Sequence, residues 1–268
     1  IVQSDDEIKK MIGNAKLDEL TSSILFSRKH FVSYFRTLSE PEPKMGSKVM
    51  ELGLDENIAR VLEEKGIEQF YKFQEDAILE IMRGNNVVIT APTASGKTEA
   101  FVVPIMQKIL DEKDSKGRVL ALFVYPTKSL SKDQLPKIKE IADRLGIDVA
   151  AFDGDTKTSD RQKIFENPPQ IIITNFDVLH YHMWHRSKFA TLLNTAKFLV
   201  ADEAHVYSGI FGSNVHYVIK RLKRICQKLQ IIASSATLDN ALPFCEQLFG
   251  VQMKLVSGSG RKGKTDFS

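Results

Sequence analysis

Six short apolar runs punctuate the middle of this chain, and a polar or glycine-containing cluster follows each one. The runs are 86–90, 118–125, 148–152, 170–174, 198–201 and 231–234. Unbroken segments such as VLALFV and IIIT suit strands buried on both faces. Amphipathic stretches of helical period separate them. Strand alternating with helix implies a parallel sheet covered on both sides. The expected fold class is therefore α/β, with helices on both faces of a predominantly parallel sheet. In such a sheet the carboxyl ends of the strands share one edge, and that edge is where open α/β folds bind ligands. The polar clusters all fall just past those ends.

Composition fits this frame. Of 268 residues, 43% are hydrophobic and 26% charged, as in ordinary globular proteins. That excludes wholesale disorder, collagen-like repeats and a disulfide-stapled miniprotein. No apolar run approaches the ~18 residues of a membrane-spanning helix. The net charge of +3 predicts no nucleic-acid partner by itself, so any such claim must rest on local residues. Cys226 and Cys245 form no CxxC pair and read as reduced thiols of a cytosolic protein. Residues 1–45 read as a helical appendage, with Ile24, Leu25, Phe31, Val32, Phe35 and Leu38 at helical spacing. Residues 46–256 form the α/β domain, and 257–268, rich in Gly, Ser and Lys, read as a flexible linker. The start at Ile1 suggests a fragment of a longer protein.

The cluster Ala91–Thr98, APTASGKT, lies between a strand and a helix. A loop entering a helix amino end presents unpaired N–H groups and a positive dipole, and so cradles phosphates. Thr93, Ala94, Ser95, Gly96, Lys97 and Thr98 are the expected nucleotide-binding residues. Lys97 would reach the terminal phosphates and Thr98 would ligate Mg²⁺. Ala91 stands where the strict pattern has its first glycine. DEAH, Asp202–His205, follows the strand FLVA several strand–helix units later. Asp202 would hold Mg²⁺ and Glu203 would activate water. Gln74 could read an adenine edge with its amide. Phe70, Tyr71 and Phe73 could stack on a base, although core packing is the simpler role. Ser235 and Thr237 of SAT, with His205, suggest a hydroxyl relay that senses the nucleotide. His180, His182 and His185 near Trp184 could ligate a metal, but helical spacing does not aim all three at one point.

With these residues in view, the chain resembles superfamily 2 helicases of the DEAD/DEAH-box kind. The resemblance covers about Leu52 to Gly250 through APTASGKT, PTKSL, TN, DEAH and SAT. FDGDT (152–156), TNFDVLH (174–180) and DEAHVYSGIFGSNV (202–215) look like the Lhr/YprA-like branch. The resemblance implies a RecA-like first motor lobe using ATP and Mg²⁺ in 3′-to-5′ DNA unwinding and repair, and the reduced cysteines suggest a cytoplasmic protein. It implies that Pro126, Thr127, Lys128, Thr174 and Asn175 grip single-stranded DNA. It also implies a second RecA-like lobe supplying an arginine finger, without which the lone lobe would be nearly inactive. Arg261 in GSGRKGK follows no second lobe and reads as linker. An RNA track, translocation on duplex DNA, and a non-catalytic nucleotide- or nucleic-acid-binding module are the alternatives.

Overall fold

The computed structural model describes residues 5–12, 26, 35–38, 43–92, 95–226, 228–236, 240–258 and 264–267. They group into two compact units. One holds the described residues before Lys44 together with those after Gly260, and the other runs from Lys44 to Gly260.

In the smaller unit, a helix spans Asp5–Ile12, and β1 (Phe35–Leu38) pairs antiparallel with β11 (Lys264–Phe267). Phe35 and Leu38 thus lie on a strand, where helical spacing suggested a helix. Part of the tail read as a flexible linker is likewise a strand. Both segments carry Phe and Thr, which favour extended backbone once a partner is present. That partner lies at the other end of the chain, beyond the reach of local periodicity.

The larger unit is built on seven parallel strands in the order β10-β4-β9-β8-β5-β7-β6. These are β4 (Val87–Thr90), β5 (Ala121–Val124), β6 (Val149–Ala151), β7 (Ile171–Thr174), β8 (Phe198–Ala201), β9 (Gln230–Ser235) and β10 (Lys254–Ser257). The six expected strands are present. The seventh, β10, is an edge strand with only Val256 buried, so it shows no continuous apolar run. A separate antiparallel pair joins β2 (Met45–Lys48) to β3 (Gln69–Tyr71).

Alternate residues of the central strands enter opposite layers, as the two-residue period of a strand demands. Phe123 of β5 packs with Phe101, Ile105 and Val200 on one face. Leu122 and Val124 pack with Phe176, Leu199 and Val215 on the other. Each such fully buried side chain stabilises the fold by about 1.5–3 kcal/mol relative to exposure. The two layers clamp the sheet and fix the positions of its strand ends. Cys226 and Cys245 are free and buried, and burial pushes both thiols up to about 12, which keeps them protonated. Among the described residues no helix is long and apolar enough to cross a membrane.

Candidate nucleotide and nucleic-acid sites

The loop after β4 turns at Gly96, whose φ of 90° lies in the left-handed region. Any side chain there would strain the backbone and collide with the Gln74 amide. The turn starts the helix Lys97–Leu110, so the free N–H groups of its first turn face the loop. Ser95 Oγ donates to Pro92 O at 2.7 Å. Lys97 is buried, and its Nζ donates to Ala91 O at 2.9 Å and Ser235 O at 3.3 Å. The ammonium lies 4.0 Å from Glu203 Oε1.

Asp202 and Glu203 follow β8, which is two strands from β4. β9 stands between them, so the SAT strand is wedged between the lysine strand and the acidic strand. Asp202 Oδ1 accepts from Ser234 Oγ and from Glu203 N. Glu203 sits at φ 49°, unusual for a non-glycine residue. His205 Nδ1 lies 3.3 Å from Glu203 Oε2 and 3.5 Å from Ser235 Oγ, and accepts from Ala236 N at 3.4 Å. His205 therefore touches the acidic pair and the SAT segment at once. Ser234, and not its neighbour Ser235, is the hydroxyl bonded to Asp202. The doubled serine in ASSAT is the one signal that could have found it.

A cleft of about 510 Å³ brings these groups together, lined by Lys97, Thr98, Asp202 and Glu203 and by Lys65, Gln134 and Lys137 from outside the motifs. Glu203 Oε2 accepts no hydrogen bond among the described residues. A buried ammonium resting on backbone carbonyls, a hydroxyl, two carboxylates and a helix amino end form a donor set suited to a magnesium-bound triphosphate. Gln74 is placed differently from a free base reader. Its Oε1 accepts from Tyr71 N and its Nε2 donates to Gly96 O, both at 2.9 Å, so the amide braces the phosphate loop. Phe70 and Phe73 are buried, and Tyr71 stacks on Phe73. Thr93, Ala94, Thr237 and Arg261 lie outside the described residues.

Burial raises the Asp202 carboxyl above its ordinary value, the Ser234 hydroxyl opposes this, and the Glu203 charge adds to it. A carboxyl raised in the folded state costs stability once pH passes the unfolded value, and costs none well below it. Asp202→Asn keeps an oxygen for Ser234 and Glu203 N and removes the charge. The expected result is a Tm about 2–4 °C higher at neutral pH, from roughly 1 kcal/mol. The gain should shrink as pH falls into the carboxylate range, while hydrolysis is lost. A lower neutral-pH Tm, read by calorimetry, would contradict the burial argument.

The next two strands beyond the acidic one carry the second group. Thr127, just past β5, caps the helix Lys128–Arg144 by accepting from Leu130 N at 3.2 Å. Asn175, just past β7, caps the helix Phe176–Trp184 by accepting from Val178 N at 2.9 Å. Thr174 Oγ1 is buried with no hydrogen-bond partner among the described residues. Pro126 is half-buried between β5 and the Thr127 cap. Lys128 and Asn175 line a cleft of about 450 Å³ with Gly154, Arg161, Tyr181 and His182. Lys128 Nζ pairs with Asp155 at 2.7 Å. Arg161 donates to the Thr156 and Asp153 carbonyls, both at 3.0 Å, and so fixes the FDGDT turn from 152 to 156. Nothing in the sequence marked that arginine. The three histidines part company. His180 meets Arg221, His182 meets Ser187, and His185 meets the Tyr181 carbonyl.

A phosphate loop and an acidic pair flanking one strand of a parallel sheet, with a basic and amide-bearing edge beside them, define a RecA-like NTPase lobe. Comparison with known proteins makes this specific. The chain belongs to the DEAD/DEAH box helicase family, whose profile matches residues 71–243. It is 39% identical over 229 residues to the ATP-dependent helicase YprA of Bacillus subtilis, covering 82% of this chain and 30% of that one. It is 32% identical over 252 residues to the ATP-dependent helicase hrq1 of Schizosaccharomyces pombe, covering 90% and 23%. The crystal structure of helicase MrfA bound to DNA and AMPPNP superposes with a TM-score of 0.82 at 35% identity, covering 94% of this chain and 36% of that one. The chain thus spans only about a quarter to a third of these relatives.

Proposed function

We propose that this chain is the ATP-binding first lobe of an ATP-dependent DNA helicase that moves 3′-to-5′ on single-stranded DNA. The observation that carries the reading is the convergence of Lys97, Thr98, Asp202 and Glu203 in one cleft, with Lys97 4.0 Å from Glu203. Lys97 leaves its carbonyl partners for the terminal phosphates of ATP. Thr98 and Asp202 would hold Mg²⁺, which would supply positive charge to the phosphate oxygens. Glu203, with one oxygen unbonded, orients the attacking water and receives its proton. His205 and Ser235 pass the change in the nucleotide to the neighbouring strand end.

The edge formed by Pro126, Thr127, Lys128, Thr174 and Asn175 grips the DNA backbone. Its hydroxyl, amide and ammonium groups bind phosphates without reading sequence. The DNA in the MrfA crystal supports DNA as the track. Residues 1–45, 46–256 and 257–268 stand as appendage, motor lobe and interlobe connection, in a cytoplasmic protein of DNA repair. Strand displacement by the two-lobed protein tests the reading. Duplexes with a 3′ single-stranded tail should be unwound in an ATP- and Mg²⁺-dependent manner, and those with a 5′ tail should not. Unwinding of RNA duplexes alone would overturn the choice of track.

A further inference from the structure

Charge is distributed unevenly along this chain. Between Val178 and Leu238 the only acidic residues are Asp202 and Glu203, while that stretch carries eight lysines and arginines. The whole chain has a net charge of only +3, so the remainder is net acidic. The two acidic exceptions face the nucleotide cleft. Four of the eight, Lys220, Arg221, Lys223 and Arg224, lie on the helix Gly209–Ile225, which packs beside Phe176–Trp184, and Arg186 lies in the turn after that shorter helix.

The first helix buries Phe176, Leu179 and Met183 against the sheet. Its opposite face presents Asp177, His180, Tyr181 and Trp184. Tyr181 is 57% exposed and Trp184 66% exposed, an unusual amount of ring surface to leave in water. Arg221, on the second helix, holds the Trp184 ring and its neighbour His180. Its guanidinium carbon lies 5.4 Å from the Trp184 ring centroid, and its Nη1 is 2.9 Å from His180 Nδ1. The His180 ring stacks nearly parallel to Trp184, with centroids 6.4 Å apart. Lys220 lies over the exposed Tyr217 ring at 5.8 Å. Preset aromatic faces among fixed cations form the surface that binds unpaired bases and their phosphates.

We propose that this two-helix face is a second binding surface for single-stranded nucleic acid, on which bases stack against Tyr181 and Trp184 while Arg221 and Lys220 hold the backbone. The inference rests on the nucleic-acid reading of the strand-end grip and extends it. Two observations choose the occupant. The face is basic, complementary to phosphate. It is also continuous with the grip, because Tyr181 and His182 line the same cleft as Lys128, Gly154 and Asn175. Trp184 lies one helical turn, about 5 Å, beyond Tyr181. A strand leaving the grip meets the rings next. The separate partners of the three imidazoles argue against a metal on this helix.

Trp184 is the single tryptophan of the chain, so its fluorescence reports directly on this face. Labelled oligothymidylates of about 5 and about 20 nucleotides serve as probes, since single-strand sites span roughly 4–16 nucleotides. The longer one should quench Trp184, and the shorter one should bind by anisotropy without quenching. Trp184→Ala and Arg221→Glu should weaken the longer oligonucleotide about 10-fold, leave the shorter one unchanged, and keep the circular dichroism spectrum. Trp184→Phe should retain most of the affinity. Equal binding of the longer oligonucleotide by wild type and Trp184→Ala, without quenching, overturns this surface and spares the grip. Absence of any oligonucleotide binding by the wild type overturns both. Quenching by an acidic peptide but not by DNA assigns the face to a protein and overturns the proposal.

Discussion

Lys97→Ala is expected to lower ATP turnover by the two-lobed protein at least about 100-fold, the scale of removing one preorganised charge donor from a transition state. The lysine is buried and already oriented, with its ammonium on two backbone carbonyls and 4.0 Å from Glu203. Its position requires no large search when phosphate arrives. The variant also strips those carbonyls of a donor, so a loss of turnover alone does not separate lost catalysis from damage to the loop. Glu203→Gln separates the two causes. It preserves size and leaves Lys97 with its carbonyl partners. It should bind magnesium-ATP near normally while turnover falls roughly 10²–10⁴-fold, the range of general-base catalysis. Nucleotide affinity, turnover and Tm measured on both variants give the pattern. Lys97→Ala loses binding and turnover together, and Glu203→Gln loses turnover alone. Wild-type turnover in either variant would refute the assignment of that residue.

The parts of this architecture that were readable in the chain are those where physics acts locally. A central strand buried on both faces must be apolar throughout, so Ile171–Ile173 and Leu120–Val124 announce themselves. The edge strand Lys254–Ser257 buries one residue and has no such signature. The strand Phe35–Leu38 finds its partner across nearly the whole chain, and its pattern passed for a helix. The site divides the same way. The phosphate loop and DEAH are contiguous and carry their chemistry in order. Ser234 and the cleft lysines act through contacts made only when distant segments converge, and Arg161 acts through carbonyls five and eight residues back that no motif marks. Gln74 shows the limit of reasoning from functional groups. An amide suits an adenine, but it equally suits Tyr71 N and Gly96 O, and the structure shows it bonded to those. The net charge is silent for a related reason, because a sum over the chain hides a basic stretch balanced by acidic residues elsewhere.

Hydrolysis by this chain alone should be roughly 10³–10⁵-fold slower than by the same residues in a two-lobed motor, the contribution of an arginine finger in related phosphoryl transfers. The structural ground is the lining of the nucleotide cleft. Its cations are Lys65, Lys97 and Lys137, and no arginine lines it among the described residues. Lys97 is assigned to the terminal phosphates from the loop side, and Lys65 is paired with Glu140 at 2.6 Å. A lysine is a strongly hydrated point charge on a flexible stem, whereas a guanidinium offers a rigid fork that meets two phosphate oxygens at once. On the proposed reading the described lining binds the triphosphate and positions water, and it offers no guanidinium to stabilise charge as the terminal phosphoryl leaves. Single-turnover hydrolysis by this chain, with and without single-stranded DNA, should show nucleotide bound and barely cleaved. Joining a second RecA-like lobe should restore the rate, and replacing that lobe's finger arginine by alanine should remove it again. Motor-like, DNA-stimulated turnover by this chain alone would mean that Lys65 or Lys137 already supplies the charge, and Lys65→Ala and Lys137→Ala would then identify which.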